Sequence, residues 1–265
     1  MYFDSHAHLD DPRFDQDREA LLAAMPEAGI DYIMNVGCDL PSSQRSVALA
    51  KQYPFVFAAV GSHPEAADRL TDETLACYRA LCREEKVRAI GEIGLDYHYE
   101  DVPREIQKIV FERQLLLAEE LGLPVIVHER EAHQDGLEIV RRHPKVRGVF
   151  HCFSGSAEMA RELVGLGWCV GFTGVLTFQN ARKAVEVAKT VPLSHILIET
   201  DCPYMAPTPY RGKRCDSRMV ALVGQKLAEL RDISAQEAAQ ITTENARRLF
   251  QIPDLEENRM REKTE

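Results

Sequence analysis

Eight times between Tyr2 and Phe250 the chain passes from a short apolar run into a longer segment of helical character. The runs are YFDSH (2–6), YIMNVG (32–37), FVFAAVG (55–61), VRAIGEIG (87–94), PVIVH (124–128), RGVFH (147–151), WCVGFTG (168–174) and HILIET (195–200). Several are near-continuous in apolar residues rather than alternating, as expected of parallel strands covered by helices. Helical segments follow over 15–28, 42–53, 72–85, 103–121, 131–142, 156–166, 180–190 and 217–230.

Local punctuation supports these assignments. LTDE offers Thr71 or Asp72 as an N-cap with acids in the first turn, and SGSAEMARELVGLG stops at Gly165 and Gly167. A last helix over 234–250 adds to the eighth repeat. Eight strand-then-helix units in 265 residues predict a (β/α)8 TIM barrel, which takes about 250 residues. An open doubly wound sheet is the competing architecture, but no Gly-x-Gly-x-x-Gly turn follows the first strand. The expectation is one domain over 1–253 with an additional C-terminal helix. The charged tail 254–265 is expected to extend that helix or fray.

Composition narrows the class. Hydrophobic residues at 45% and charged residues at 28% fit a globular chain with a sizeable core. There is no basic-then-apolar leader and no apolar run near the ~20 residues that span a bilayer, so no membrane role is expected. The seven cysteines are odd in number, scattered and never in C-x-x-C spacing, which reads as reduced thiols and a cytoplasmic protein. A net charge of −10 argues against coating nucleic acid by a general basic field. It leaves open an enzyme acting on a phosphate ester, where bound cations supply local positive charge.

A barrel gathers its chemistry at the C-terminal ends of its strands. Strand 1 ends in His6-Ala7-His8, strand 3 runs on to His63, and strand 4 carries Glu92 and then Asp96. Strand 5 ends in His128, Glu129 and Arg130, strand 6 in His151, and strand 8 in Glu199 and Asp201. Strands 2 and 7 offer only Asn35 and Thr173 or Thr177. Alternation places His6 and His8 on one side, toward the barrel axis, with Ala7 turned to the helices. Imidazoles and carboxylates converging from several strands are what a divalent-metal site requires. A single H-x-H or a single Asp after a strand has an ordinary structural explanation; the coincidence of six at one end of one barrel does not.

In that order and spacing, DSHAHLD, GSHPE, AIGEIGLDY, PVIVHER, FHCFSG and ETDCPY resemble the TatD family of metal-dependent hydrolases within the amidohydrolase superfamily. The resemblance runs from Phe3 to TTENARRLF at 242–250. It implies a deoxyribonuclease, a 3′→5′ exonuclease on single-stranded or damaged DNA, with two divalent metal ions per chain. On this resemblance His6, His8 and Asp201 hold the first metal, His128 and His151 hold the second, and Glu92 bridges both. His63 matches a substrate or phosphate contact. The sequence departs from the family at Cys202, where serine is usual, and at Cys215 and Ser217, where Asn and Pro are usual.

The expected mechanism is a hydroxide shared between two cations attacking phosphorus in line with the leaving sugar oxygen. Asp201 would accept the proton of the nucleophile, Glu92 would fix the metal separation, and Glu199 would orient a histidine from behind. Arg130, Tyr204 and Arg211 are the expected substrate-binding residues, with Lys213 and Arg214 as further cations. Tyr97, Tyr99, Phe153 and Tyr210 are further aromatics that could stack bases. The ligand set leaves Zn²⁺, Mn²⁺ and Mg²⁺ open. The expected partner is DNA, as short single strands or 3′ ends, with no obligate protein partner. The same centre could instead cleave a carboxyl ester of the D-aminoacyl-tRNA type or an amide, and a non-catalytic binding protein is the remaining class.

Overall fold

In a computed structural model that describes residues 1–253, eight strands pair in chain order into one all-parallel sheet. They are β1 (Tyr2–Ala7), β2 (Ile30–Val36), β3 (Val56–Val60), β4 (Val87–Asp96), β5 (Val125–Arg130), β6 (Gly148–Phe150), β7 (Cys169–Phe172) and β8 (Ile196–Ile198). The helices are α1 (Arg18–Ala23), α2 (Leu40–Gln52), α3 (Asp72–Leu81), α4 (Arg104–Leu121), α5 (His133–Arg142), α6 (Ala157–Gly165), α7 (Arg182–Thr190), α8 (Val220–Arg231) and α9 (Ala235–Leu249). This is the (β/α)8 barrel with its additional C-terminal helix. The expected tail lies outside the described residues.

The ring closes where β1 meets β8. Ala7 and Cys202 form a parallel bridge, with Asp201 N–H donating to His6 O (2.9 Å) and His8 N–H to Cys202 O (2.8 Å). Below that bridge the Asp4 carboxylate takes the place of a backbone acceptor, receiving Thr200 N–H at 2.8 Å and Thr200 Oγ1–H at 2.6 Å.

The barrel interior is one apolar layer to which every strand contributes: Phe3, Met34, Phe57, Ala89, Ile126, Val149, Cys169 and Leu197 all belong to it. Ala246, Phe250 and Ile252 join the same cluster, so α9 stoppers the N-terminal end of the barrel. Asn245 fastens it by donating to the carbonyls of Leu193 and Ile196. The second and larger cluster lies between strands and helices.

Thr71 caps α3 by accepting from Thr74 N–H, as its position predicts. The expected helix over 15–28 contracts to α1, because Pro12 opens a separate 3-10 turn and turns occupy the chain from Met25 to Gly29. The expected helix over 217–230 begins as a 3-10 turn at Ser217–Met219 and becomes α-helical only at Val220. No helix among the described residues is long and apolar enough to cross a membrane.

Candidate metal centre

Counting along each strand from the interior layer shows how the site is assembled. On β5, β6 and β8 the alternation is unbroken: His128 stands two residues beyond Ile126, His151 two beyond Val149, and Glu199 two beyond Leu197. On β1 and β4 it is not. His6 is three residues beyond Phe3 and Glu92 three beyond Ala89, so strict period two would turn both toward the helices. The pairing register shifts between Asp4 and Ala7 on β1 and between Ile90 and Ile93 on β4. Those irregularities bring His6 and Glu92 back to the axis, the re-aiming that bulged strands provide.

Two donor clusters result, and Glu92 belongs to both. Its Oε2 lies 3.4 Å from His6 Nε2 and 3.6 Å from His8 Nε2. Asp201 Oδ1 lies 3.8 Å from His6 Nε2 and 3.4 Å from His8 Nε2. The other oxygen, Oε1, lies 2.8 Å from His151 Nε2, 3.0 Å from His128 Nδ1 and 3.7 Å from His63 Nε2. His128 Nδ1 and His151 Nε2 are 3.3 Å apart.

The donor chemistry fits divalent cations. His8 Nδ1 must donate to the Val36 carbonyl at 2.8 Å, which leaves Nε2 of the neutral ring with a bare lone pair. That lone pair confronts His6 Nε2 at 3.0 Å. Ligand atoms held about 2.0–2.2 Å from one ion stand about 3–3.5 Å from each other, close to the separations in both clusters. Burial would push the Glu92 carboxyl up, but His151, His6 and His63 hold it well below the usual carboxylate range. Burial likewise opposes charge on His151, yet Glu92 and Glu199 raise its pKa well above the usual imidazole value. A cation would take the place of such protons.

His63 is distinguished by its tautomer. Its Nδ1 accepts from Glu65 N–H at 3.2 Å, so the neutral ring carries its proton on Nε2, the atom facing Glu92. Burial, aided by His128, lowers its pKa to about 3. His63 therefore presents an N–H to the cavity rather than a lone pair, although its position beside Glu92 and His128 suits a ligand.

Glu199 sits behind His151. Its Oε1 accepts from Cys152 N–H at 2.6 Å and lies 3.4 Å from His151 Nδ1, while Oε2 is 3.3 Å from Ser5 Oγ. Gly171 leaves the room for it, since a Cβ there would meet Glu199 Oε2 at 2.6 Å. Cys202 is fully buried, with Sγ 3.9 Å from Ser217 Oγ and outside the cavity lining, so that departure from the family falls in the packing behind the centre.

The two clusters form the floor of a cavity of about 1170 Å³ that His63, Arg130, Phe153, Thr173 and Tyr204 also line. Arg211 is not part of that lining; its guanidinium packs 4.4 Å over the Phe178 ring. Arg214 is held by Asp17 through two hydrogen bonds. Asn35 bonds Ser46 and Asp10 on the helix side.

Asp96, to which the sequence attaches no role, lies with Oδ2 2.9 Å from His128 Nε2. Its place four residues after Glu92 on one strand is the signal the sequence carries. Cys38 carries no such signal, and no motif marks it. Its Sγ is 3.6 Å from Glu92 Oε2, and burial pushes the thiol up to about 11, which keeps it protonated.

A family model described as TatD related DNase matches residues 3–251. YabD of Bacillus subtilis, named an uncharacterized metal-dependent hydrolase, is 44% identical over 254 residues, covering 95% of this chain and 100% of its own. The 3′-5′ ssDNA/RNA exonuclease TatD of Erwinia tasmaniensis is 33% identical over 258 residues, covering 94% of this chain and 100% of its own. The crystal structure of YjjV, a TatD homologue from Escherichia coli, has a TM-score of 0.90 at 35% identity and covers 95% of this chain and 98% of that one.

Proposed function

This chain belongs to the TatD-related family of metal-dependent hydrolases, and from that premise we propose that it hydrolyses DNA phosphodiesters as a 3′→5′ exonuclease on single or damaged strands. The observation that carries the reading is the division of Glu92 between two donor clusters, Oε2 to one and Oε1 to the other, on the floor of one open cavity. His6, His8, Glu92 and Asp201 would hold one divalent ion, and Glu92, His128 and His151 a second. Zn²⁺, Mn²⁺ or Mg²⁺ so bound would supply positive charge for phosphate oxygens and a water ionised near neutral pH.

The chain's own groups divide the remaining work. Asp201, whose Oδ1 faces His8 at the cavity floor, accepts the proton released by the attacking water. The Nε2–H of His63 donates a hydrogen bond to a non-bridging phosphate oxygen; its low pKa keeps the ring neutral and the Glu65 N–H fixes the tautomer. Glu199 holds the His151 ring from behind. Arg130 and Tyr204 meet the strand on the cavity wall. The exonuclease name of the Erwinia relative supports a nucleic-acid substrate.

The test is a short 5′-labelled single strand incubated with protein reconstituted in turn with each of the three metals. The expected product is a ladder shortening from the 3′ end, abolished by EDTA and reduced by orders of magnitude by Asp201→Asn. Protein inert on DNA with every metal, yet active on an aminoacyl ester or a cyclic amide, would overturn the reading.

A further inference from the structure

Two half-exposed tyrosines stand on opposite banks of the cavity. Tyr99 follows β4 and Tyr204 follows β8, four strands apart in a ring of eight. Both line the cavity, and their exposures, 46% and 48%, are high for large aromatic side chains. Each carries an arginine. The Arg130 guanidinium lies 5.3 Å from the Tyr99 ring centroid, and that of Arg13 lies 4.1 Å from the Tyr204 centroid. Arg13 is held in place by a fork to Asp11, with both bonds at 2.9 Å.

We propose that these pairs are two base-stacking platforms, each taking one unpaired nucleobase, so that the scissile phosphate is held over the centre between two gripped nucleosides. The inference rests on the nuclease reading above. A half-exposed ring beside a cation offers a π surface that any base can cover without selecting which base. On Tyr99 the His98 ring, in edge contact with centroids 4.9 Å apart, still leaves 46% of the residue exposed. Arg130, Arg182 and Lys183 line the same cavity and form no ion pair among the described residues, which leaves cations for the flanking phosphates. Bases paired in a duplex cannot turn their faces to the two banks, so the geometry selects unpaired ends. Arg13 and Tyr99 thereby become determinants of substrate class.

The experiment compares metal-reconstituted wild-type protein with Tyr99→Ala, Tyr204→Ala, the double variant and the two Phe variants. The substrates are a single-stranded oligodeoxynucleotide and the same strand abasic at its last two positions. Each Ala substitution is expected to raise KM on the normal strand about 5- to 100-fold with kcat little changed, as loss of stacking requires. Phe should preserve the wild-type value, and on the abasic strand all proteins should be equally poor. A 2-aminopurine at either terminal position should be quenched on binding wild-type protein and not the corresponding Ala variant. Equal kcat/KM for wild type and double variant on the normal strand overturns the inference and leaves the nuclease reading intact. So does an Ala defect of the same size on the abasic strand, which would mark a structural role. If wild-type protein cleaves neither strand with any of the three metals, the nuclease reading falls and takes this inference with it.

Discussion

Asp96 Oδ2 lies 2.9 Å from Nε2 of His128, and the opposite ring nitrogen, Nδ1, faces Glu92 Oε1 at 3.0 Å. Burial would raise the Asp96 carboxyl, but His128 holds it below the usual range, so it is ionised and can only accept. Both ring nitrogens face carboxylates, and against burial, which lowers it, Asp96 and Glu92 raise the His128 pKa. In the neutral ring that a metal requires, Asp96 keeps the proton on Nε2 and leaves the Nδ1 lone pair to the second cluster. Asp96→Asn can reverse this by donating to Nε2 and moving the ring proton to Nδ1. The expected outcome is about a 10- to 100-fold loss of affinity for one metal, read by calorimetric titration of metal-stripped protein. An unchanged isotherm would show that Asp96 does not orient the ring.

Glu92 places one oxygen in each cluster, whereas the His6 Nε2 faces Glu92 Oε2 and Asp201 in the first. Glu92→Gln should therefore lose both metals together, while His6→Ala should lose one and keep the other. Elemental analysis of proteins purified in parallel measures this directly. Retention of a full complement by Glu92→Gln would remove the glutamate from the ligand set.

Metal removal should cost stability as well as activity. An ion at about 100 times its Kd stabilises the folded state by about 2.7 kcal/mol, and each kcal/mol shifts Tm by about 2–4 °C in a domain of roughly this size. Chelation should lower Tm by about 5–10 °C in calorimetry. A Tm indifferent to EDTA would mean that no ion is bound at these residues.

The seam between β1 and β8 depends on Asp4, which is fully buried and receives two hydrogen bonds from Thr200. Asp4→Ala leaves Thr200 N–H without its acceptor, at a cost of about 1–3 kcal/mol. Asp4→Asn, which keeps one carbonyl, should cost less. Because His6 and Asp201 sit at the head of the same seam, Asp4→Ala should also release the first metal more readily. Urea unfolding and metal content check the two parts separately.

At the other end of the barrel, Phe250 is fully buried with its ring 6.0 Å from Phe3. Phe250→Ala should destabilise the protein by about 3–5 kcal/mol without altering metal stoichiometry. A loss of metal before unfolding would show that α9 supports the centre as well as the barrel floor.

The sequence determined the architecture and the inventory of the site. Strand and helix periods are local properties, so eight apolar runs and their punctuation are legible one segment at a time. The concentration of His6, His63, His128, His151, Glu92 and Asp201 at one end of those runs follows from the same reading. What the period could not supply is phase. Counted from Phe3 and Ala89, His6 and Glu92 face outward, and only the pairing of β1 with β2 and of β4 with β5 shifts register to bring them in. That pairing joins residues distant in the chain and leaves no mark in either strand. The partner of His128, the tautomer of His63 and the packing of Arg211 on Phe178 away from the cavity were likewise decided by tertiary structure. Each depends on which groups the closed ring places beside them, and DSHAHLD alone contains none of those groups.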